Sequence, residues 1–351
     1  GPGATRHTGV ARDPDEVARD WAGKTSLGGV DVDLDETELA VMNLYARRIF
    51  RYAVPSGALL GDFAHGAVTE TWAADARPFA VKYHDGRLYH GVVNARNDGT
   101  DFVAAVYRSG PDGLGMERVA VFDLVYARDG VRLRKVRSST RWSSWVDAGP
   151  RPPSIERPLD MPDPPPPQAM LTDIVFADDD HMVVALRDRR WDVSLQWIEE
   201  EITAGPTATS AHGVVRTPTP APPQMLSESS LGFGDILLGT RSDGRWSVGT
   251  SPEHFDDDNG LHHAESALGG LAWLPDSQLI LGSAYGVGDA RSDLILGQEG
   301  VYWYDVATGN RTASEIVGRP GQGRPYSELL SQDVAEAHCT IEWYLDFSYH
   351  A

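Results

Sequence analysis

The chain has 351 residues, of which 51 are acidic and 31 are basic, so its formal net charge is −20 at pH 7. A field of this sign repels nucleic acid and anionic lipid at long range, and we expect no nucleic-acid partner. No run of the sequence approaches the roughly 20 consecutive apolar residues that cross a bilayer, so we expect no membrane insertion.

The first predicted element is a short helix over residues 13–21, which Asp13-Pro14 can begin, because Asp caps helices and Pro fits the first helical position. Ahead of it, Gly1-Pro2-Gly3 resembles what a protease leaves after it removes an expression tag. We therefore expect residues 1–24 to be an expression remnant followed by a peripheral segment, and residues 25–351 to form one domain.

The main signal in the sequence is a hairpin pattern that occurs four times. Each copy has a short apolar strand, a polar turn that contains Asp, and a second strand rich in Leu, Val and Ile, which is typical of a β-hairpin. The four copies cover residues 29–42, 79–92, 171–184 and 270–281.

Each hairpin is followed by a further apolar, β-prone strand that begins a second hairpin. These strands cover residues 48–54, 102–107, 235–240 and 301–306. Two hairpins make one four-stranded antiparallel blade, and a repeated pair of hairpins is typical of propellers. The sequence therefore predicts an all-β fold, a single β-propeller.

The number of blades stays open, because the first two hairpins begin about 50 residues apart and the later ones about twice that distance. A less regular blade over residues 122–127 and 131–136, or proline-rich insertions at 150–167 and 217–223, can account for the excess. We predict five to seven blades, with six favoured. The strand-like run 339–347 is placed to close the ring on its first blade.

Several motifs recur in a recognisable order along the chain. They lie in residues 39–48, 77–80 with 84–89, 173–176 with 186–189, 234–237 and 263–271. Together they resemble a group of bacterial surface or secreted β-propeller proteins that are found beside SdrD B-like repeats. The resemblance implies an extracellular or cell-surface module and does not imply a particular reaction.

Polar motifs fall on the loops that a propeller gathers on one face, beside its central channel. Guanidinium groups supply paired donors and aromatic rings supply stacking surfaces, so we predict a non-catalytic binding or adhesion module with a protein, peptide or glycan partner. Arg187, Asp188 and Arg189 could instead form an ion network between blades. The predicted ligand-binding residues are Asn43, Tyr45, Arg77, Asn94, Arg187, Asp188, Arg189, Trp191, His263 and Glu265.

The main interpretation is that the chain is not an enzyme, and a hydrolase or lyase is the alternative. Its acid and base would come from Asp173, Asp188, His263 and Glu265 near the mouth of the channel. No nucleophile elbow, zinc-protease helix or phosphate-binding loop supports a named reaction. A second alternative is a structural component of a larger extracellular assembly.

No cofactor is predicted, although calcium is left open. The acidic run at residues 256–260 offers Asp256, Asp258 and the nearby His262 as candidate metal ligands. Their spacing fits neither a calcium-binding loop nor a zinc motif, and a solvated loop is the alternative interpretation. The single cysteine, Cys339, has no partner for an internal disulfide, and we expect it to pack in the core.

Overall fold

The computed structural model describes residues 21–97, 101–128, 132–133, 136–137, 141–146, 167–189, 234–259, 263–274, 277–285 and 299–318. Two short 3-10 helices, Gly66–Thr69 and Ala73–Asp75, lie among the strands. The strands are β1 (Leu27–Val32), β2 (Glu38–Asn43), β3 (Arg48–Ala53), β4 (Leu59–Ala64), β5 (Ala76–His84), β6 (Arg87–Asn94), β7 (Val103–Ser109), β8 (Glu117–Asp123), β9 (Arg132–Leu133), β10 (Val136–Arg137), β11 (Ala169–Phe176), β12 (His181–Asp188), β13 (Asp235–Ser242), β14 (Arg245–Val248), β15 (Asp258–Asn259), β16 (His263–Glu265), β17 (Ala267–Trp273), β18 (Leu279–Tyr285), β19 (Glu299–Asp305) and β20 (Arg311–Gly318).

Sixteen of these strands form four antiparallel sheets of four strands, and within each sheet the strands pair in the order of the chain. Sheet 1 is β1 to β4, sheet 2 is β5 to β8, sheet 3 is β11 to β14 and sheet 4 is β17 to β20. The four predicted hairpins are the first two strands of these sheets, and the four further predicted strands are the third. The prediction of repeated four-stranded blades is therefore confirmed, and the fold is all-β and propeller-like.

The hairpin between β5 and β6 shows why the local sequence determines the turns. Asp85 and Gly86 both have positive φ, at 47° and 65°, and the flanking His84 and Arg87 pair directly. A two-residue turn with positive φ at both positions matches the twist of the strands, and Asp-Gly adopts it readily. The sequence Asp-Gly between two apolar strands thus sets the register of the hairpin.

The first strands of successive sheets lie next to one another, with β1 against β5, β5 against β11, and β11 against β17. Two aspartates join these inner strands. The Tyr83 amide of sheet 2 donates to Asp31 of sheet 1 at 2.6 Å, and the Leu271 amide of sheet 4 donates to Asp173 of sheet 3 at 2.8 Å. A carboxylate that accepts an exposed strand amide satisfies a donor that the sheet itself leaves unpaired.

Apolar side chains fill the spaces between neighbouring sheets, and this packing holds the repeats together. Met42 and Ile49 of sheet 1 pack with Leu88 of sheet 2. Larger clusters join sheet 2 to sheet 3 and sheet 3 to sheet 4, and they include Phe122 with Leu171 and Ile236 with Tyr304.

The predicted irregular blade is not formed by the residues that the structure describes. Phe122 and Asp123 end β8, the outer strand of sheet 2, because the apolar run pairs with β7. The short strands β9 and β10 pair only with each other in a two-stranded sheet. The described part of the chain therefore contains four blades, whereas the sequence favoured six.

Several predicted features lie outside the described residues: the helix up to residue 20, the proline-rich insertion over 150–166 and that at 217–223, the closing strand at 339–347, and Cys339. Among the residues that are described, no helix has both the length and the apolar character needed to cross a membrane.

Candidate functional site

The predicted site residues concentrate at one end of the sheets. At this end the first strand of each sheet begins and the second strand ends, as the pairs Leu27 with Asn43, Ala76 with Asn94, Ala169 with Asp188 and Ala267 with Ala284 show. We call it the upper end. Asn43, Asn94 and Asp188 are each the last residue of a second strand, because the polar loop begins where the buried apolar strand stops.

On sheet 1, Asn43 and Tyr45 shape a turn rather than join other site residues. The Asn43 side chain accepts a hydrogen bond from the Ala46 amide at 2.9 Å, and the Tyr45 side chain points to solvent with 75 % of its surface exposed. An Asn that satisfies an amide of its own turn is a common structural device. The contacts of Asn43 are thus local.

On sheet 2, Asn94 and Arg77 are likewise held by backbone groups. The Asn94 side chain donates to the Asp101 carbonyl at 2.7 Å, and its oxygen accepts from the Arg96 amide. Arg77 donates to the Ala76 carbonyl at 2.9 Å, and its guanidinium lies 5.9 Å from the centre of the Trp145 ring. Arg77 therefore contributes positive charge at the upper end.

Arg187, Asp188 and Arg189 are all buried, and they form hydrogen bonds with neighbouring segments of the chain. Arg187 donates to the Leu268 carbonyl of sheet 4 at 3.1 Å, and Asp188 accepts from the Gln168 amide at 2.9 Å. Arg189 donates to the side chain of Gln168 and lies 4.9 Å from the Trp145 ring centre. The motif thus connects sheet 3 to sheet 4 and to the segment that precedes β11.

Asp173 lies apart from the other predicted acid–base residues. Its carboxylate accepts the Ile174 and Leu271 amides, so its contacts belong to the inner strands and not to the upper end. Burial raises the pKa of Asp173 to about 7. The predicted set of four is therefore not brought together: Asp173 is separate, and of His263 the structure describes only its place on β16.

A different group of carboxylates meets at the upper end between sheets 3 and 4. Asp235, Glu253, Asp257 and Glu265 each place one oxygen so that all four oxygens lie within 4.8 Å of one another. We call these residues the carboxylate cluster. Glu265 is the only predicted site residue in it.

Three structural elements position the carboxylate cluster. Asp235 is the first residue of β13, opposite Leu186 of β12. Glu265 ends β16, where it pairs with Asp258 of β15, and the Ser266 amide donates to the Asp257 carbonyl at 3.1 Å. The short β15–β16 hairpin thus fixes Asp257 beside Glu265, and the chain between sheets 3 and 4 carries the members of the cluster other than Asp235.

One buried cation, Arg128, lies beside the carboxylate cluster. Its Nε is 3.7 Å from oxygens of both Asp235 and Glu265, and its Nη2 donates to the Gly234 carbonyl at 2.7 Å. The Tyr126 hydroxyl donates a hydrogen bond to the Asp235 carboxylate at 2.6 Å. Burial opposes the charge of Arg128, yet the charges of Glu265 and Asp235 raise its pKa above the usual value.

The carboxylates themselves are deeply buried except Glu253, which is exposed. Burial and then the charge of Glu265 raise the pKa of Asp257 well above its usual range. Burial also raises the pKa of Asp235, against the opposing effect of Arg128. Desolvated like charges at short range repel, so the cluster strongly favours a compensating positive charge.

Several buried polar atoms at the cluster have no hydrogen-bond partner in the described part of the chain. Asp257, with 0 % of its surface exposed, has neither oxygen in a hydrogen bond. The hydroxyl group of Tyr304, also 0 % exposed, is likewise unbonded, and the charge of Asp257 raises the pKa of this tyrosine further after burial. Buried polar groups without partners are rare and point to a missing water, ion or ligand.

The predicted metal ligands Asp256, Asp258 and His262 are not brought together in the described structure. Asp256 is exposed and forms an ion pair with Arg311 at 3.6 Å, because it points away from its buried neighbour Asp257. Of Asp258 the structure describes the strand position alone, and His262 and Trp191 lie outside the described residues. Sequence reasoning thus reached the acidic run that contains Asp257 but chose the residues on either side of it.

Asp235, Glu253 and Arg128 were missed entirely. The run Gly234-Asp235 was noticed only as the start of a strand, and Arg128 lies 107 residues before Asp235 (235 − 128) in the chain. A charged residue at the first position of an otherwise apolar strand was the one available signal, since such residues seldom become buried without a partner.

Neither a protein-family model nor a curated protein matches the sequence. Solved structures do match at low similarity. An α-L-arabinofuranosidase from Fusarium graminearum is 12 % identical with a TM-score of 0.40, over 83 % of this chain and 66 % of that one. A putative 6-phosphogluconolactonase from Bacteroides uniformis is 10 % identical with a TM-score of 0.37, over 84 % and 56 %.

A periplasmic gluconolactonase from Pseudomonas aeruginosa is 10 % identical with a TM-score of 0.35, over 84 % of this chain and 56 % of that one. The chain thus spans between about half and two thirds of the length of these proteins.

The proteins named here are enzymes, and this finding contradicts the prediction of a non-catalytic binding or adhesion module. That prediction was wrong, and the hydrolase or lyase alternative is argued below from the side chains themselves. Similarity at this level assigns no reaction to the chain, so its function has to be argued from the side chains at the upper end.

Proposed function

We propose that the chain is a hydrolase whose reaction takes place at the carboxylate cluster beside Arg128. The observation that carries the proposal is the contact of Glu265 and Asp235 with a single buried guanidinium, each at 3.7 Å. A carboxylate next to a fixed cation is the minimum that an acid–base hydrolysis needs, one group to take a proton from water and another to stabilise the negative charge that develops.

Glu265 is the proposed general base. It removes a proton from a water molecule, the oxygen of that water attacks the electrophilic carbon of the substrate, and the guanidinium of Arg128 stabilises the oxyanion that forms. The proton then passes to the leaving group as its bond to carbon breaks. Burial strengthens these electrostatic effects, because the local dielectric constant is far lower than that of water.

The elements around Arg128 support a fixed rather than a mobile cation. Its guanidinium lies 3.7 Å from the centre of the Trp142 ring, and Trp142 in turn donates to the Tyr126 hydroxyl at 3.0 Å. A charge that is held before the reaction costs no reorganisation when the transition state forms. Glu253, the exposed member of the cluster, marks the side that substrate and water reach.

The test is a panel of chromogenic esters and lactones with the whole chain, followed by Glu265→Gln on any substrate that is cleaved. We expect kcat to fall by about 100-fold or more, the usual contribution of a general base. Glu117→Gln is the matched control, because Glu117 pairs with Arg108 at the outer edge of sheet 2. Cleavage of no class of substrate, elimination without hydrolysis, or full activity of Glu265→Gln would overturn the proposal.

For the fold, we propose a closed ring with more blades than the four described. Sheet 1 supports this, because its apolar residues Val30, Val32, Leu59 and Leu60 remain exposed on the described chain. A propeller buries such a face against its last blade. Small-angle scattering of the whole chain distinguishes a closed disc from an open arc of sheets, and an open arc would contradict closure.

A further inference from the structure

We infer that Asp235, Glu253, Asp257 and Glu265 form a binding site for a divalent cation that prefers oxygen ligands, with Ca²⁺ as its best match. The inference uses the same side chains as the proposed hydrolase but rests on their geometry, so it does not require the chain to be an enzyme.

The first argument is the size of the carboxylate cluster. Ca²⁺ binds oxygen at about 2.3–2.6 Å, so two ligand oxygens on opposite sides of the ion are separated by about 4.6–5.2 Å. The four carboxylate oxygens all lie within 4.8 Å of one another. They can therefore surround Ca²⁺ without moving apart, and a set of four protein carboxylates suits Ca²⁺ better than Mg²⁺, which keeps several waters and binds through one or two carboxylates.

The second argument is independent of the carboxylates and comes from Tyr304 of β19. Its hydroxyl is fully buried and has no hydrogen-bond partner among the described residues, and its ring packs against Phe255, two residues before Asp257. A tyrosine hydroxyl is retained in an apolar core at a cost unless something bonds to it. A water bound to the cation is a group that can accept its proton.

The third argument is the balance of charge. Asp235, Asp257 and Glu265 are all buried, and Arg128 is the cation placed against two of them at 3.7 Å. Taking several carboxylates out of water is strongly unfavourable unless cations accompany them. Among the described residues, Asp257 has no hydrogen-bond donor on either oxygen, so Arg128 does not satisfy it.

The ligand types select the class of ion. The cluster contains four carboxylates and neither a histidine nor a cysteine, which is the donor set that suits Ca²⁺, Mg²⁺ and Mn²⁺ rather than Zn²⁺ or Cu²⁺. The ion would join sheet 3, through Asp235, to the chain that leads into sheet 4, through Asp257 and Glu265. In the proposed hydrolase, it would also lie next to the water that Glu265 deprotonates.

The test compares Asp257→Asn with its neighbour Asp256→Asn after dialysis of both proteins against EDTA. The two variants lose one negative charge at adjacent positions, but only Asp257 faces the cluster. We expect millimolar Ca²⁺ to raise the Tm of the wild type and of Asp256→Asn by at least about 3 °C, and to leave Asp257→Asn unchanged.

In EDTA, Asp257→Asn should melt above the wild type, because the change removes a buried negative charge from a site without its cation. A variant with only a packing defect would melt below it. Binding of Tb³⁺, followed by emission sensitised by nearby Tyr304 and Trp142, should weaken at least about tenfold in Asp257→Asn and be displaced by Ca²⁺.

The inference is overturned if Ca²⁺, Mn²⁺ and Mg²⁺ all leave the wild-type Tm unchanged, if only Zn²⁺ binds, or if Asp257→Asn responds like Asp256→Asn. Its failure is distinguishable from failure of the hydrolase proposal. If the chain binds Ca²⁺ but hydrolyses no substrate, the cation site stands and the hydrolase proposal fails. If the chain binds no cation and still hydrolyses a substrate in EDTA, the hydrolase proposal stands and the cation site fails.

Discussion

The guanidinium of Arg128 lies 3.7 Å from the centre of the Trp142 ring, and both side chains are buried. The stacking leaves the edge of the guanidinium free to face carboxylates, since a planar cation binds a ring through its face and oxygens through its N–H groups. Trp142 thus aims Arg128 at Asp235 and Glu265. Through Arg128, the segment after sheet 2 meets the segment before sheet 4, although the two are distant in the chain.

Arg128→Met should lower the free energy of unfolding by about 3–5 kcal/mol, because it leaves buried carboxylates without their cation. Denaturant unfolding at neutral pH measures the loss. Arg108→Met is the control, and its change should stay within about 1 kcal/mol, since Arg108 pairs with Glu117 near the surface. A loss below about 1 kcal/mol for Arg128→Met would show that this guanidinium does not compensate the cluster.

Tyr126→Phe should cost about 1–3 kcal/mol of unfolding free energy, because the Asp235 carboxylate loses a donor that is 2.6 Å away. The Trp142 indole N–H loses its acceptor at the same time. Tyr45→Phe removes the same atom from a side chain that is 75 % exposed, so it should be nearly neutral. Equal effects of the two changes in thermal unfolding would contradict the role of the Tyr126 hydroxyl.

Local sequence was sufficient for the sheets. Turn signals such as Asp85-Gly86, and apolar strands on both sides of them, depend on residues only a few positions apart, and all four predicted hairpins form. Blade number was harder, because the length of a loop between strands is not limited by the pattern within them. The run that begins at Phe122 is as apolar as an inner strand, yet only its first two residues lie in a strand, where they end β8, the outer strand of sheet 2.

The site was predicted only in part, and the reason is geometric. Sequence reasoning placed Glu265 at the upper end but paired it with Asp173, which lies with the inner strands and binds the Leu271 amide. It chose Asp256 over Asp257, since adjacent side chains in extended chain point in opposite directions and only the register decides which is buried. Arg128 and Asp235 are 107 residues apart in the chain, so no local sequence pattern predicts their contact.

His90→Gln should reduce the sensitivity of the fold to acid. Burial lowers the pKa of His90 to about 3 from an unfolded value of about 6.5, so the unfolded chain binds the proton that the folded chain refuses. The stability that this residue contributes is present above about pH 6.5 and is lost as the pH falls toward 3. Gln keeps an acceptor for the Gly66 amide, which His90 Nε2 accepts at 2.8 Å, but does not titrate.

Urea unfolding at pH 7 and pH 4.5 measures this effect. The wild type should lose on the order of 2 kcal/mol more than His90→Gln over that interval, as a neutral histidine this deeply buried implies. His181→Gln is the control, because His181 is only half-buried at the start of β12, beside Asp178. An acid loss in His90→Gln as large as in the wild type would contradict the assignment.

Asp173→Asn should change the pH dependence of stability in the opposite direction. Burial raises the folded pKa of Asp173 to about 7, above an unfolded value of about 4, so the folded chain holds a proton that the unfolded chain releases. The stability from this residue is therefore complete below about pH 4 and falls as the pH rises through 7.

The Asn side chain does not titrate, so the unfolding free energy of the Asp173→Asn variant relative to the wild type should rise by about 1–3 kcal/mol between pH 5 and pH 8. The change of relative stability with pH is the informative quantity. The absolute stability also falls, because Asn cannot accept both the Ile174 and the Leu271 amides as the carboxylate does. Asp31→Asn supplies the reference for the loss of such a link, since Asp31 accepts the Tyr83 amide between sheets 1 and 2. If the relative stability of Asp173→Asn is the same at pH 5 and pH 8, Asp173 is ionised across that range and its raised pKa is refuted.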